Sequence, residues 1–204
     1  MSDFHEISLF PLRMVLFPGG RLDLQIFEQR YIDLVSHCLR NDTGFGICLL
    51  KSGEEVIREA SRQTIHRIGT FCRIVDWDQL DNGLLGITVA GMTKFKVEDC
   101  WQADDGVLRA NALYSLDDRT DSSPLAVTGE HEGLVELLKS LENHPMIAEK
   151  NLSTDYDNLR EVGWRLSELI PIDASQKQKL LELDDPGERI EQLEALVADL
   201  ANTG

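Results

Sequence analysis

Basic side chains are scarce in this chain of 204 residues: 20 Lys and Arg stand against 36 Asp and Glu, a formal net charge of −16. A phosphate backbone is held chiefly by Lys and Arg, so nucleic acid is disfavoured as a partner. No apolar run approaches membrane-spanning length, and "MSDFHEISLF" has acids where a signal peptide needs a basic region. A cytoplasmic protein without membrane contact is expected. The cysteines, Cys38, Cys48, Cys72 and Cys100, lie 10, 24 and 28 positions apart, so no C-x-x-C pair starts a zinc or redox site. Each sits among apolar neighbours and reads as a buried free thiol in a reducing compartment.

Linear catalytic motifs are missing as well. "GITVAGMT", 86 to 93, has the glycine spacing of a phosphate loop but places Met92 where the lysine must reach the phosphates, and it reads as a strand ending in a glycine turn. "HEISL" and "HEGLV" both lack the second histidine of a zinc-protease helix. There is no G-x-S-x-G elbow and no dinucleotide fingerprint. No catalytic residue, metal or cofactor is expected, although the scattered histidines leave open a site assembled only in space.

What is present is an ordinary globular composition, 42% hydrophobic and 27% charged. The apolar period changes near residue 120. Before it, strands alternate with turns: "GTFCRIVDWDQL" and "LLGITVAGMTKFKV" flank Asp81-Asn82-Gly83, and "ADDG" joins "KFKVEDCW" to "VLRANALYSL", a meander of antiparallel strands. One helix interrupts, with Phe27, Tyr31, Leu34, Val35, Cys38 and Leu39 on one face. "LDDRTDSSP", 116 to 124, reads as a linker. Beyond it the pattern is helical, with stripes at Leu134, Leu137, Leu138 and Leu141, then Leu159, Val162, Leu166, Leu169 and Ile170, then Ile190, Leu193, Leu196, Val197 and Leu200. The last helix opens with Asp185 as N-cap, Pro186 at its first position and Glu188 three residues after the cap. Residues 1 to 115 hold 16 acidic and 12 basic side chains, and 116 to 204 hold 20 and 8, so the helical part carries most of the acidity.

The densest signal is "FPLRMVLFPGGRLDLQIFEQRYIDLV", which resembles the start of the Lon protease amino-terminal domain: Phe10 to Arg13, Leu16 to Gly19, then Ile26, Phe27, Glu28, Arg30 and Tyr31. "FGICLL", the long hairpin and "SQKQKLLELDDPGERIEQLEALV" continue the resemblance over nearly the whole chain. It implies an α+β fold: a PUA-like antiparallel β pseudo-barrel with one inserted helix (1–118), followed by a C-terminal helical bundle (119–204). Pro11 and Pro18 belong at strand edges or turns, and Gly19-Gly20 is expected to reverse the chain between the first two strands. Arg13, Glu28, Arg30 and Tyr31 are expected to form a fold-specifying polar clasp.

The resemblance also implies a non-catalytic module that binds other proteins or unfolded segments, since the chain ends at Gly204 without the family's ATPase and peptidase modules. Met14, Phe17, Leu22 and Trp77, near predicted turns, are the candidate contacts. The alternatives are an RNA- or small-molecule-binding PUA-like protein, or an enzyme whose site no linear motif reveals. A basic groove would favour RNA, a neutral apolar groove a peptide, and a deep polar pocket an enzyme.

Overall fold

The computed structural model describes residues 4–53, 55, 63–115, 125–148 and 153–203. The chain divides into two compact units, Met1–Arg119 and Thr120–Gly204; the expected linker, 116 to 124, lies outside the described residues.

The first unit holds β1 (His5–Leu12), β2 (Arg21–Ile26), α1 (Gln29–Asn41), β3 (Gly44–Ser52), β4 (Thr64–Gln79), β5 (Leu85–Gln102) and β6 (Leu108–Tyr114). The sheet order is β2-β5-β4-β3-β1-β6, and β6 also pairs with β5, so the sheet closes on itself. The turn chemistry explains two of the connections. Between β4 and β5, Gly83 takes φ 82° and Leu80 and Leu84 are bridged by a 2.9 Å backbone bond. Between β5 and β6, Gly106 takes φ 79° and Ala103 N–H donates to the Val107 carbonyl at 2.9 Å.

The meander expectation needs correction at the start of the chain. β1 pairs parallel to β3 and antiparallel to β6, while β2 pairs with β5, so the first two strands are not neighbours. Gly19, at φ 76°, therefore does not turn a hairpin. Its N–H donates to the Gly91 carbonyl, and Gly91 N–H donates to the Gly20 carbonyl, each at 2.9 Å, which pins the loop onto β5. Gly91 lies inside β5 rather than at a turn, and glycine is required there because a side chain would meet the Phe17 carbonyl oxygen at 2.2 Å. At Pro11 the β1–β6 pairing has already ended, at Leu9, and only β3 remains alongside; the missing N–H falls at an edge.

α1 begins after Phe27, which is exposed, and Leu39 is exposed too; the buried stripe is Tyr31, Leu34, Val35 and Cys38. The predicted stripe was too wide by one residue at each end. α1 packs this stripe against Phe10, Phe45, Ile47, Ile87 and Val89 in the main core. A second cluster, with Leu9, Cys48, Phe95, Val97 and Ala110, fills the rest, the Phe95 ring occupying the space that side chains at Gly46 and Gly69 would need. Cys100 departs from the expected burial: a register shift between Val97 and Asp99 breaks the inward-outward alternation and the thiol is exposed.

In the second unit α2 (Glu132–Glu142), α3 (Pro145–Ala148), α4 (Leu159–Leu169), α5 (Ala174–Glu182) and α6 (Pro186–Thr203) follow a short 3-10 turn. α4 packs against α2, α5 and α6. Asp185 Oδ1 accepts from the Glu188 N–H at 3.0 Å, the cap read from sequence. Val135 joins the buried face of α2, whereas Leu200 on α6 is exposed. Among the described residues, no helix is long and apolar enough to cross a membrane.

Candidate functional site

Phe17, one of the four sequence candidates, is 0% exposed, because the loop pinned to β5 drives its ring into the interior. It has no surface to offer a partner. Leu22 is half-buried against the main core. Met14 and Trp77 stand out, 47% and 59% exposed.

Trp77 owes its exposure to strand pairing. β3 runs beside β4 only from Thr64 to Arg73, so the last stretch of the strand, Ile74 to Gln79, projects past β3 with β5 as its single strand neighbour among the described residues. There β2, β5 and β4 stand in register as Asp23–Thr88–Asp76, Leu24–Ile87–Trp77 and Gln25–Gly86–Asp78. These residues and Leu80 line a cavity of about 250 Å³ whose wall is mostly apolar. Its carboxylates are held locally: Asp23 accepts from Thr88 Oγ1 at 2.7 Å, Asp76 from the Trp77 N–H at 2.9 Å and Asp78 from the Gln79 N–H at 2.7 Å. Sequence reading selected Trp77 but not Asp23, Asp76 or Asp78. The string Asp-Trp-Asp is visible in the sequence, but nothing along the chain marks Asp23, on a different strand, as its neighbour.

A larger cavity, about 670 Å³, lies in the same unit between the start of β1, α1 and the β6 side of the sheet. Four arginines, Arg30, Arg40, Arg73 and Arg109, line it together with Glu6, Asp33, Asp42 and Asp105. The charges are largely paired. Arg73 bonds Asp42 at 3.1 Å, and Arg109 reaches Asp105 at 2.8 Å and Glu6 at 3.6 Å. The Asp105 carboxyl is held below its usual range, first by the Val107 N–H it accepts and further by Arg109. His5 and Tyr114 face each other on its wall with ring centroids 5.0 Å apart. No linear motif announced this cavity, because its residues meet only through the β1–β6 pairing and the seating of α1.

The expected clasp centres on Arg30. Its Nε donates to Glu28 at 3.0 Å, Nη1 to the Gly106 carbonyl at 2.9 Å and Nη2 to the Glu55 carbonyl at 3.3 Å, and its Cζ lies 4.3 Å from the centre of the Tyr31 ring. Arg13 joins through the same residue, Glu55: its backbone N–H donates to Glu55 Oε1, and its Nη2 to the Gly53 carbonyl at 3.1 Å. Pro18, buried in the loop between β1 and β2, completes the opening stretch. Among the described residues no group of three His, Cys, Asp or Glu is placed to hold a metal ion.

A mixed α+β fold built on a six-stranded sheet with several helices is that of Lon amino-terminal domains. A crystal structure of a Lon N-terminal domain protein from Xanthomonas campestris matches with a TM-score of 0.72 and 32% identity, over 94% of this chain and 98% of that one. The N-terminal domain of Mycobacterium avium complex Lon protease has the same fold at 14% identity, with a TM-score of 0.63. The model of the ATP-dependent protease La (LON) substrate-binding domain matches residues 6–199, and the chain belongs to that family. It is 29% identical to the Lon protease of Cytophaga hutchinsonii over 188 residues and 27% identical to that of Brevibacillus choshinensis over 202. These alignments cover 90% and 94% of this chain but 23% and 24% of the relatives, so the chain spans about a quarter of their length.

Proposed function

We propose that this chain is a non-catalytic recognition module that binds other proteins through exposed apolar segments of unfolded polypeptide, acting as a cytoplasmic adaptor or quality-control factor. The observation that carries this reading is Trp77, 59% exposed beside a cavity with a mostly apolar wall. An exposed indole on a rigid sheet supplies large contact area at little entropic cost. Membership of the substrate-binding domain family supports it. In this reading the first unit is a PUA-like pseudo-barrel with one inserted helix, in keeping with the β5–β6 closure, and the second is a helical bundle organised around α4, with the boundary near residues 118 and 119.

The test is to titrate a reduced, carboxymethylated protein and its native form against the pure chain. Binding of the unfolded form alone, persisting at high salt because apolar burial is little screened, is expected. Failure to bind either form, or equal binding of both, overturns the reading. The same preparation is expected to hydrolyse no ATP and cleave no peptide, and turnover of either would show an enzyme. A small dipolar ligand in the cavity of about 670 Å³ is the second reading, carried by its size and paired charges. RNA finds less support there, since four arginines are matched by four carboxylates.

A further inference from the structure

We infer that the Trp77 cavity takes a polypeptide segment in which a bulky apolar side chain is flanked by lysine or arginine. This rests on the polypeptide-binding reading above and names the chemistry of what is bound. From Ile74 to Gln79, β4 is a sheet edge among the described residues, and a bare edge offers unpaired backbone donors to any passing strand. Here Asp76 and Asp78 accept the N–H groups of Trp77 and Gln79, so two of those donors are already taken. Recognition at this edge accordingly falls to side chains rather than to strand addition.

The side chains on offer are an indole and three carboxylates. Asp23, Asp76 and Asp78 each use one oxygen in the bonds already described, and among the described residues the second oxygen of each carries none. Among the described residues no Lys, Arg or His lines the cavity, so none of them balances the three negative charges in its wall. An apolar group entering it buries surface against the exposed Trp77 and the half-buried Leu24 and Leu80 whatever its neighbours are. The flanking residues then decide between segments: glutamate or aspartate meets like charge, whereas lysine or arginine pairs with a carboxylate or stacks on the indole face. The chain's overall charge of −16 works in the same direction during approach.

Three peptides of equal length carry the test, each with a central Phe-Leu pair flanked by lysines, serines or glutamates, titrated into the full chain by calorimetry. The lysine peptide is expected to bind about tenfold or more tighter than the glutamate peptide at low salt, the gap narrowing in high salt. The double variant Asp76→Asn with Asp78→Asn keeps acceptors for both N–H groups and is expected to narrow the preference clearly while still binding, Asp23 retaining part of it. Trp77→Ala, with an unchanged melt as the folding control, is expected to weaken all three. Equal affinities for the three peptides, or a preference undiminished in the double variant, overturn this inference and leave the general reading standing. Failure of all three peptides while carboxymethylated protein still binds overturns it in the same way. Failure of both peptides and carboxymethylated protein removes the general reading itself.

Discussion

Tyr31 carries its hydroxyl into the core without a hydrogen-bond partner among the described residues, and burial pushes its pKa up to about 12, with Arg30 pulling partly the other way. A phenol whose folded pKa lies above its unfolded value holds its proton longer when folded. The stability linked to that proton is present in full below pH 10 and is lost as pH rises toward 12, roughly 2 to 3 kcal/mol in all. Tyr31→Phe is expected to be nearly neutral at pH 7, since it removes an unpaired buried group, and to reduce the alkaline loss; denaturant midpoints across pH 7 to 12 check both. Phe17 and Trp77 form a second residue-scale contrast. Phe17→Ala empties a fully buried site and is expected to cost about 3 to 5 kcal/mol in a thermal melt. Trp77→Ala is expected to stay within about 0.5 kcal/mol of the parent. Arg189 is wholly buried, with its Cζ 3.2 Å from the centre of the Trp164 ring, and it donates to the Leu180 and Leu183 carbonyls at the end of α5. Arg189→Ala strips two carbonyls of a charged donor and leaves a void, so a loss of about 3 kcal/mol is expected, with lysine restoring only part of it because it lacks the guanidinium fork.

The opening loop and β5 behave as one element. Gly19 has φ 76°, where a β-branched residue is strained, and Gly91 has no room for a methyl 2.2 Å from the Phe17 carbonyl oxygen. Gly19→Val and Gly91→Ala should each cost about 1 to 3 kcal/mol, the first through backbone conformation and the second through displacement of the loop. Urea midpoints measure the losses, and hydrogen exchange at Gly19 and Gly91, whose N–H groups hold the loop to β5, should rise in both variants. α4 has the corresponding place in the second unit. Arg165 Nη1 donates to Glu168 at 2.5 Å and its Nε approaches Glu142 at 3.6 Å, while the Tyr156 hydroxyl donates to Glu142 and Lys177 donates to the Glu168 carbonyl. Burial lowers the Lys177 pKa, whereas the bond to Glu142 raises that of Tyr156. Above neutral pH these two groups therefore act in opposite directions: release of the lysine proton favours the fold, and loss of the tyrosine proton opposes it.

Division of the whole chain into two units has a direct consequence. If the first is self-sufficient, residues 1–119 expressed alone should give a β-sheet circular dichroism spectrum and one cooperative melt, and Phe17→Ala should lower that melt as it lowers the parent's. A non-cooperative melt of the fragment would show that the remaining residues complete its core. Charge acts at this scale as well. Residues 116 to 204 hold 20 acids against 8 bases, so raising ionic strength should stabilise the full chain more than the 1–119 fragment, by relief of self-repulsion.

Local chemistry was legible in the sequence wherever neighbours along the chain decide the outcome. The Asp81-Asn82-Gly83 and "ADDG" turns, the Asp185 cap and the buried stripe of α1 follow from φ preferences, short-range hydrogen bonds and the helical period, none of which needs a distant partner. The densely ordered "FPLRMVLFPGGRLDLQIFEQRYIDLV" stretch was enough to indicate the family. Strand pairing was not legible, because a period of two says which face a residue takes and nothing about which strand lies beside it. Only the tertiary structure placed β1 parallel to β3, pinned Gly19 to Gly91 and so buried Phe17. It alone ended β3 early enough to leave Trp77 on a bare edge with Asp23 two strands away on β2, and brought Arg109 of β6 to Glu6 of β1. Those contacts join residues tens of positions apart, and sheet closure, a property of the whole set of strands, selects them.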